Sequence, residues 1–257
     1  MNSSEYVNDM FNLSGHVGIV TGASRGLGMG VAKVLTDAGA KVYNLDMNSR
    51  GNDEEITGEM VDVQIDLTDR EKVKQCVEKI AETEGHIDFL INNAGITFKC
   101  RAEEFPEERY EKIQDINLKV LFDLCKICYP YLKESKYIGR ILNISSMAAH
   151  MGFTGVVPYC MTKSGVLGLT RGLAEEWRND NILVNSVAPG WFLTKLNEGM
   201  FAQNPDRKEA ALKKVTLGRF GYPKEIGYMM LFLLSKGSTY LTGQDFAVDG
   251  GALTHGF

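Results

Sequence analysis

Segments that read as strands alternate with segments that read as helices from residue 16 to residue 251, and that alternation excludes most folds. HVGIVTG (16–22) is a short apolar run closed by glycine, the pattern of a buried strand. Val31, Val34 and Leu35 at helical spacing predict a helix over 25–38. KVYNLD (41–46) and MVDVQIDL (60–67) read as strands, the amphipathic run 69–85 as a helix closed by Gly85, and IDFLINNAG (87–95) as a fourth strand. A long helix is predicted over 107–134, with Asn117 inside it. Strands follow at 139–146 and 182–190 on either side of a helix over 159–179, and a helix over 223–235 and a strand over 244–251 end the pattern. Alternating β and α units imply crossover connections. The expectation is therefore an α/β fold, a doubly wound parallel sheet of Rossmann type in a single domain over 1–257. One long irregular region, 191–217, follows the C-terminal end of a strand, where ligands bind in such sheets, and a mobile lid over a substrate is expected there.

Composition narrows the function. Lys plus Arg number 28 against 33 Asp plus Glu, a formal charge of -5, which gives no electrostatic reason to bind nucleic acid or anionic lipid. The strongest apolar run, Met229 to Leu234, is too short to cross a bilayer, and the first fifteen residues lack the basic and apolar blocks of a signal peptide. A cytoplasmic protein with a small-molecule substrate, no nucleic-acid partner and no membrane partner is expected. Five cysteines (Cys76, Cys100, Cys125, Cys128, Cys160) are odd in number and scattered, which argues against a disulfide framework. Cys125 and Cys128 form a lone C-x-x-C without two further ligands at matching spacing; two buried thiols, and no metal, are the expectation.

The first strand runs into Thr21-Gly22-Ala23-Ser24-Arg25-Gly26-Leu27-Gly28. Glycines at 22, 26 and 28 let the backbone turn tightly against a pyrophosphate, and the helix that follows offers free N–H groups and a positive dipole end. Ser24, Arg25 and Leu27 complete the loop candidates. The spacing is G-x3-G-x-G, and alone it also suits a turn that merely needs flexible residues. Asp46 strengthens the cofactor reading. It ends the second strand, where a carboxylate can bond both adenosine ribose hydroxyls and repel a 2′-phosphate. Arg25 and Arg50 pull the other way, because a guanidinium pairs with a 2′-phosphate. The balance favours NAD(H), with NADP(H) as the alternative. Asp66 and Leu67 are candidates for the adenine edge. Asn93, Ala94 and Gly95 close the fourth strand with small residues that let it lie against the cofactor, although Asn92 and Asn93 also suit a turn.

Tyr159 and Lys163 are four apart on a predicted helix and share one face. Ser146 ends the fifth predicted strand. Hydride transfer at a carbinol carbon needs a proton moved at its oxygen, and an unperturbed phenol at about 10 ionises too reluctantly at neutral pH. A nearby ammonium and an oxidised nicotinamide both favour phenolate. Lys163 is expected to do this while bonding the nicotinamide ribose, Ser146 to hold the substrate oxygen beside Tyr159, and Asn117 to anchor a water chain leading from Lys163. Each residue alone has an ordinary structural reading; their combination with the glycine turn carries the argument.

These residues resemble the short-chain dehydrogenase/reductase family from about Leu13 to Gly251. TGASRGLG is similar to its cofactor loop, NNAG (92–95) to its fourth-strand signature, and Ser146 with YCMTK (159–163) to its catalytic Ser and Tyr-x-x-x-Lys, with Asn117 matching the fourth catalytic member. Pro189-Gly190 with Thr194 resembles a segment whose Thr bonds the nicotinamide carboxamide, and QDFAVDGG resembles a terminal strand that implies packing into homodimers or homotetramers. Gly30 where Ala is usual, Ala149 where Gly is common, and Gly18 inside the first strand are departures that bear on packing. The resemblance implies an active oxidoreductase interconverting a secondary alcohol and a ketone. MFNLSGHVGIVTGASRGLG and APGWFLTKLN are similar to gluconate 5-dehydrogenase and related sugar-acid oxidoreductases. The expected pocket residues His150, Met151, Phe153, Trp191 and Phe192 are largely apolar and suit a steroid or an acyl chain better, so a hydroxysteroid dehydrogenase and a 3-oxoacyl thioester reductase stay open. The thioester reductase would need a basic docking patch, and none stands out. A non-catalytic nucleotide-binding scaffold would be expected to lose Tyr159 or Lys163, and both are present.

Overall fold

A computed structural model of the chain describes residues 3–51, 56–194 and 205–254. Among the described residues seven strands form one parallel sheet, in the order β3-β2-β1-β4-β5-β6-β7. They are β1 (Val17–Thr21), β2 (Lys41–Asp46), β3 (Met60–Gln64), β4 (Phe89–Asn92), β5 (Gly139–Ile144), β6 (Ile182–Pro189) and β7 (Asp245–Val248). The direction of winding reverses between β1 and β4, which pair with each other at the centre. Such a reversal leaves a crevice beyond the C-terminal strand ends.

Helices cover both faces. On one side lie α3 (Arg70–Glu84), α5 (Val120–Lys133) and α6 (Val157–Glu176), whose Val77, Leu124 and Leu173 pack on Ile19, Leu90 and Ile141. On the other lie α2 (Gly26–Asp37) and α8 (Pro223–Leu234), whose Leu35 and Met230 pack on Val20, Ile91 and Leu142. Neighbouring strand residues thus serve opposite cores, as the pleat requires. Cys125 and Cys128 lie fully buried in the first core, and burial pushes the Cys125 thiol up to about 12.

Two glycines that departed from expectation have packing reasons. A Cβ on Gly18 would stand 2.2 Å from the Phe89 ring of β4. A Cβ on Gly30 would stand 2.4 Å from Pro223, where the start of α8 crosses α2.

The structure corrects several boundaries. A helix α1 (Ser3–Phe11) precedes the sheet; it buries no residue and is tied down by Asp9 to Lys236. The long helix expected over 107–134 is two helices, α4 (Glu107–Gln114) and α5, joined by a wide π turn at Asp115–Lys119. Arg70 clamps that turn, 2.5 Å from both Asp115 and Asp123. The region 191–217, expected to be irregular, contains helix α7 (Pro205–Leu212). The central part of the expected lid, 195–204, lies outside the described residues.

Candidate active site

The strand ends around the β1/β4 reversal open onto a cleft of about 950 Å³. The glycine turn supplies one wall, with Gly22, Arg25, Gly26 and Leu27. Asp46 ends β2 on the cleft, Asp66 and Leu67 follow β3, and Asn93, Ala94 and Gly95 follow β4. Thr194 faces them from beyond β6.

The turn has the features a pyrophosphate needs. Gly22 and Gly26 adopt left-handed conformations (φ 67° and 62°), and α2 starts with Arg25 at its N-cap and no side chain capping its N–H groups. Gly28 has no room for a side chain, since a Cβ would stand 2.4 Å from both Asn93 Nδ2 and the Gly22 carbonyl. Asn93 Nδ2 donates to the Thr21 and Gly22 carbonyls at 2.9 and 3.0 Å, which fixes the end of β4 to the turn. A side-chain-free wall, uncapped N–H groups and a carboxylate across the cleft fit a nicotinamide dinucleotide.

Not every candidate faces that space. Ser24 is buried; its hydroxyl donates to the Asn48 carbonyl and accepts from Asn44, so it shapes the turn from behind. Asp46 accepts from the Ser24 and Asn48 backbone N–H groups at 3.1 and 2.9 Å, and holds the turn while also lining the cleft. Gly28 backs the turn. Pro189 is buried at the end of β6, and Gly190 presses against Asp249, where a Cβ would be 2.5 Å from Cα. Arg25 is exposed on the cleft, whereas Arg50 is drawn aside to Asp62 at 3.0 Å. Asp66 accepts from the Thr68 N–H and hydroxyl, which holds its carboxyl below the usual range.

Three of the four expected chemical groups converge beyond β5. The Ser146 side chain lies close enough to the Tyr159 phenol to lower its pKa, while its Oγ accepts from the Ala148 N–H at 3.1 Å. The Lys163 ammonium lies 5.7 Å from the centre of the Tyr159 ring and donates to the Ile144 carbonyl at 2.7 Å. Lys163 is 3% exposed, and desolvation pushes its pKa down to about 8. Burial raises the Tyr159 phenol, and the Ser146 side chain pulls the other way. In the protein by itself burial therefore outweighs the expected lowering of Tyr159 by Lys163. Gly95 connects this cluster to the cleft: a Cβ there would meet Asn117 Oδ1 at 3.4 Å and Lys163 Nζ at 3.7 Å.

Asn117 sits in the π turn, fully buried, and its side chain is engaged in three hydrogen bonds. Oδ1 accepts from the Ile96 N–H, and Nδ2 donates to the Ile96 carbonyl and the Thr162 hydroxyl. The amide thus ties the strand-4 loop to α6 beside Lys163. Thr162, which sequence reasoning passed over, completes this tie; its signal was its place beside Lys163.

The substrate-side candidates divide. Phe153 and Trp191 meet edge to face at 6.2 Å. Met151 is exposed. Phe192 differs from expectation: at 6% exposure it packs in the second core and against Gly221, and it does not line the cleft formed by the described residues. His150 Nε2 lies 2.6 Å from Asp245 on β7, which also accepts from the Ser145 and Ser186 hydroxyls. Asp245 was not singled out in the sequence; nothing local marks it, because its partners come from three other segments.

Comparison with known proteins agrees with this geometry. The family model described as Enoyl-(Acyl carrier protein) reductase matches residues 22–253. A 3-oxoacyl-[acyl-carrier-protein] reductase of Thermotoga maritima is 36% identical over 246 residues, 93% of this chain and 98% of that protein. A 2-dehydro-3-deoxy-D-gluconate 5-dehydrogenase of Bacillus subtilis is 34% identical over 257 residues, 97% of this chain and 99% of that protein. Among solved structures, a short-chain type dehydrogenase/reductase from Mycobacterium marinum superposes with a TM-score of 0.87 at 32% identity, covering 96% of this chain and 98% of that one. The Pseudomonas aeruginosa RhlG/NADP active-site complex superposes with a TM-score of 0.88 at 28% identity, covering 95% and 99%. No described helix is long and apolar enough to cross a membrane.

Proposed function

This chain belongs to the short-chain dehydrogenase/reductase family and is an NAD(P)-dependent oxidoreductase, and on that premise we propose that it interconverts a secondary alcohol and a ketone on a small sugar acid. The observation that carries the chemistry is the Tyr159 phenol set beside the Ser146 side chain and the buried Lys163 ammonium, with Gly95 between Lys163 and the cleft. The bound nicotinamide supplies or accepts the hydride. Tyr159 moves the proton at the substrate oxygen, and its raised pKa keeps it protonated at neutral pH, ready to give a proton to a ketone. Ser146 lies beside that phenol and orients the same oxygen. Lys163, fixed by the Ile144 carbonyl, lies beside Gly95, within reach of a ribose in the cleft. Asn117 holds the loop carrying Gly95 against α6. Asp46 opposite the glycine turn supports NAD(H), and Arg25 on the same cleft leaves NADP(H) as the alternative cofactor.

The sugar-acid assignment draws on the Bacillus relative and on the substrate side itself. Phe192 is withdrawn into the core and His150 is paired with Asp245, which leaves fewer apolar groups for a steroid. Lys99, exposed, lays its stem against Gly155 just before α6, and we assign its cation to a substrate carboxylate. Reduction of a 3-oxoacyl thioester is the second reading, favoured by the Thermotoga relative. The oligomeric state follows as part of the proposal: β7 is an edge strand, and Phe122, Val157 and Met161 are exposed on α5 and α6, surfaces that suit a homodimer or homotetramer. Free cysteines suit a reducing cytoplasm.

Following nicotinamide absorbance with 2-dehydro-3-deoxy-D-gluconate, a hydroxysteroid and a 3-oxoacyl thioester tests the substrate. Turnover is expected with the sugar acid, and faster turnover of the thioester would replace that assignment with the second reading. Tyr159→Phe is expected to lose activity by about 10²-fold or more with cofactor binding intact.

A further inference from the structure

The end of the sheet opposite the cofactor cleft holds a feature that hydride transfer does not use. Arg140 is the second residue of β5 and only 4% exposed. Its Nη2 donates to the Ser235 carbonyl over 3.3 Å, while Nε and Nη1 are buried without a partner. No carboxylate among the described residues offsets this charge, and burial alone pushes its pKa down to about 10. A buried guanidinium with open donors and no counter-charge is costly, so its retention calls for a partner.

Arg140 lines a cavity of about 250 Å³ together with His16, Lys136, Tyr137, Asn181 and Lys236. His16 precedes β1 and Asn181 precedes β6, so the cavity gathers at the N-terminal strand ends. The Lys136 ammonium lies over the Tyr137 ring at 5.1 Å and has no acidic partner among the described residues. Lys236 is already held by Asp9 at 2.7 and 2.8 Å. His16 stacks on Tyr137 at 3.6 Å, and its buried Nδ1 is also without a partner. Burial lowers the His16 pKa most; Asp88 and the nearby Leu13 and Ser14 main chain raise it, and Lys136 lowers it further. Asp88 itself is taken up by the Val17 N–H, the Ser135 hydroxyl and His86. The cavity lining therefore includes a guanidinium whose Nε and Nη1 donors are unspent though almost sealed from solvent, and it carries net positive charge, in a volume that admits a compact oxyanion and excludes a dinucleotide.

We propose that this cavity is a second ligand site, and that it takes a phosphate group on the open donors of Arg140 with Lys136 at its rim. A phosphate offers acceptors in several directions, which suits donors that point to different sides of one guanidinium. The experiment is calorimetric titration of phosphate-free protein with inorganic phosphate at constant ionic strength, with the cofactor cleft saturated by NADH. Saturable binding is expected, weakened about tenfold or more in Arg140→Gln and several-fold in Lys136→Gln, with NADH affinity unchanged in both. Should Arg140→Gln fail to fold, Lys136→Gln and Arg140→Lys carry the same test, since the latter keeps the charge and loses the fork. Tighter binding of glycerol 3-phosphate would identify a phosphomonoester as the source, and tighter binding of inorganic phosphate the free anion. Absence of saturable binding, which would mean that ordered water fills the donors, overturns the proposal. So does equal phosphate affinity in all variants, or a rise in Tm that never saturates and is shared with sulfate, the mark of salt exclusion from the surface.

Discussion

The Lys163 ammonium donates to the main-chain carbonyl of Ile144 at 2.7 Å, and among the described residues this hydrogen bond and the Tyr159 ring at 5.7 Å are what meet a buried positive charge. The displacement of its pKa from 10.5 to about 8 corresponds to about 3 kcal/mol of destabilisation at neutral pH. Below about 8 the lysine is charged in both folded and unfolded chains, and folding carries the full cost. Between about 8 and 10.5 the folded chain sheds its proton first, so stability rises with pH; above 10.5 both forms are neutral and the penalty is gone. Lys163→Met gives back about 1 kcal/mol through the lost hydrogen bond. Urea unfolding at pH 7 is expected to show the variant more stable by about 2 kcal/mol, with the sign reversing above pH 10.5, where only the lost hydrogen bond of about 1 kcal/mol remains, while its turnover is lost. A variant less stable than wild type at pH 7 would mean that the charge is better solvated than its burial implies.

The Tyr159 phenol separates the two directions of reaction. Its pKa is raised by burial, so at neutral pH it is protonated. Ketone reduction uses that form, and alcohol oxidation uses the phenolate, whose fraction climbs tenfold per pH unit below the pKa. From pH 6 to 8, kcat/KM for oxidation is expected to rise steeply while that for reduction stays flat. Equal pH profiles in steady-state assays of both directions would remove Tyr159 from the proton transfer.

How far the sequence disclosed this site depends on whether a feature is local. The bounds 41–46 of β2 coincide with the reading because an apolar run lies between Gly39 and the turn after Asp46. The glycine turn and the Tyr159/Lys163 pair are likewise periodic or short-range, and they landed on opposite sides of Gly95. The π turn at Asn117 was hidden, since one added residue per turn leaves hydrophobic spacing almost unchanged on either side. Ser24 and Phe192 show what a motif position cannot: the packing of Asn44, Asn48 and Gly221 turns both side chains inward. The His150–Asp245 pair spans 95 residues and has no local signature.

Asp46 has two tasks that substitutions can separate. It lines the cleft, and it accepts from the Ser24 and Asn48 N–H groups. Asp46→Ala strands both donors and is expected to cost about 1–3 kcal/mol of stability as well as shift cofactor preference. Asp46→Asn keeps one acceptor oxygen and removes the charge that repels a 2′-phosphate. It is expected to raise the NADP/NAD ratio of kcat/KM by about tenfold with a smaller loss of stability. An unchanged ratio would place cofactor choice with Arg25 or with another residue of the cleft.

Gly18 tests whether the centre of the sheet is packed by shape. Propensity alone favours almost any residue over glycine inside a strand. A Cβ at Gly18 would nevertheless stand 2.2 Å from the Phe89 ring, and Phe89 is fully buried between β4 and the second core. Overpacking of this kind costs about 1–3 kcal/mol, which outweighs the gain from propensity. Gly18→Ala is therefore expected to lower the urea midpoint. Phe89→Leu leaves a cavity that costs stability by itself, yet it makes room for the new methyl group. The double variant is expected to lose less than the sum of the two single losses, a coupling of about 1 kcal/mol or more between residues in contact. Strict additivity would mean that the strand shifts to admit the methyl group and that the ring does not set the need for glycine.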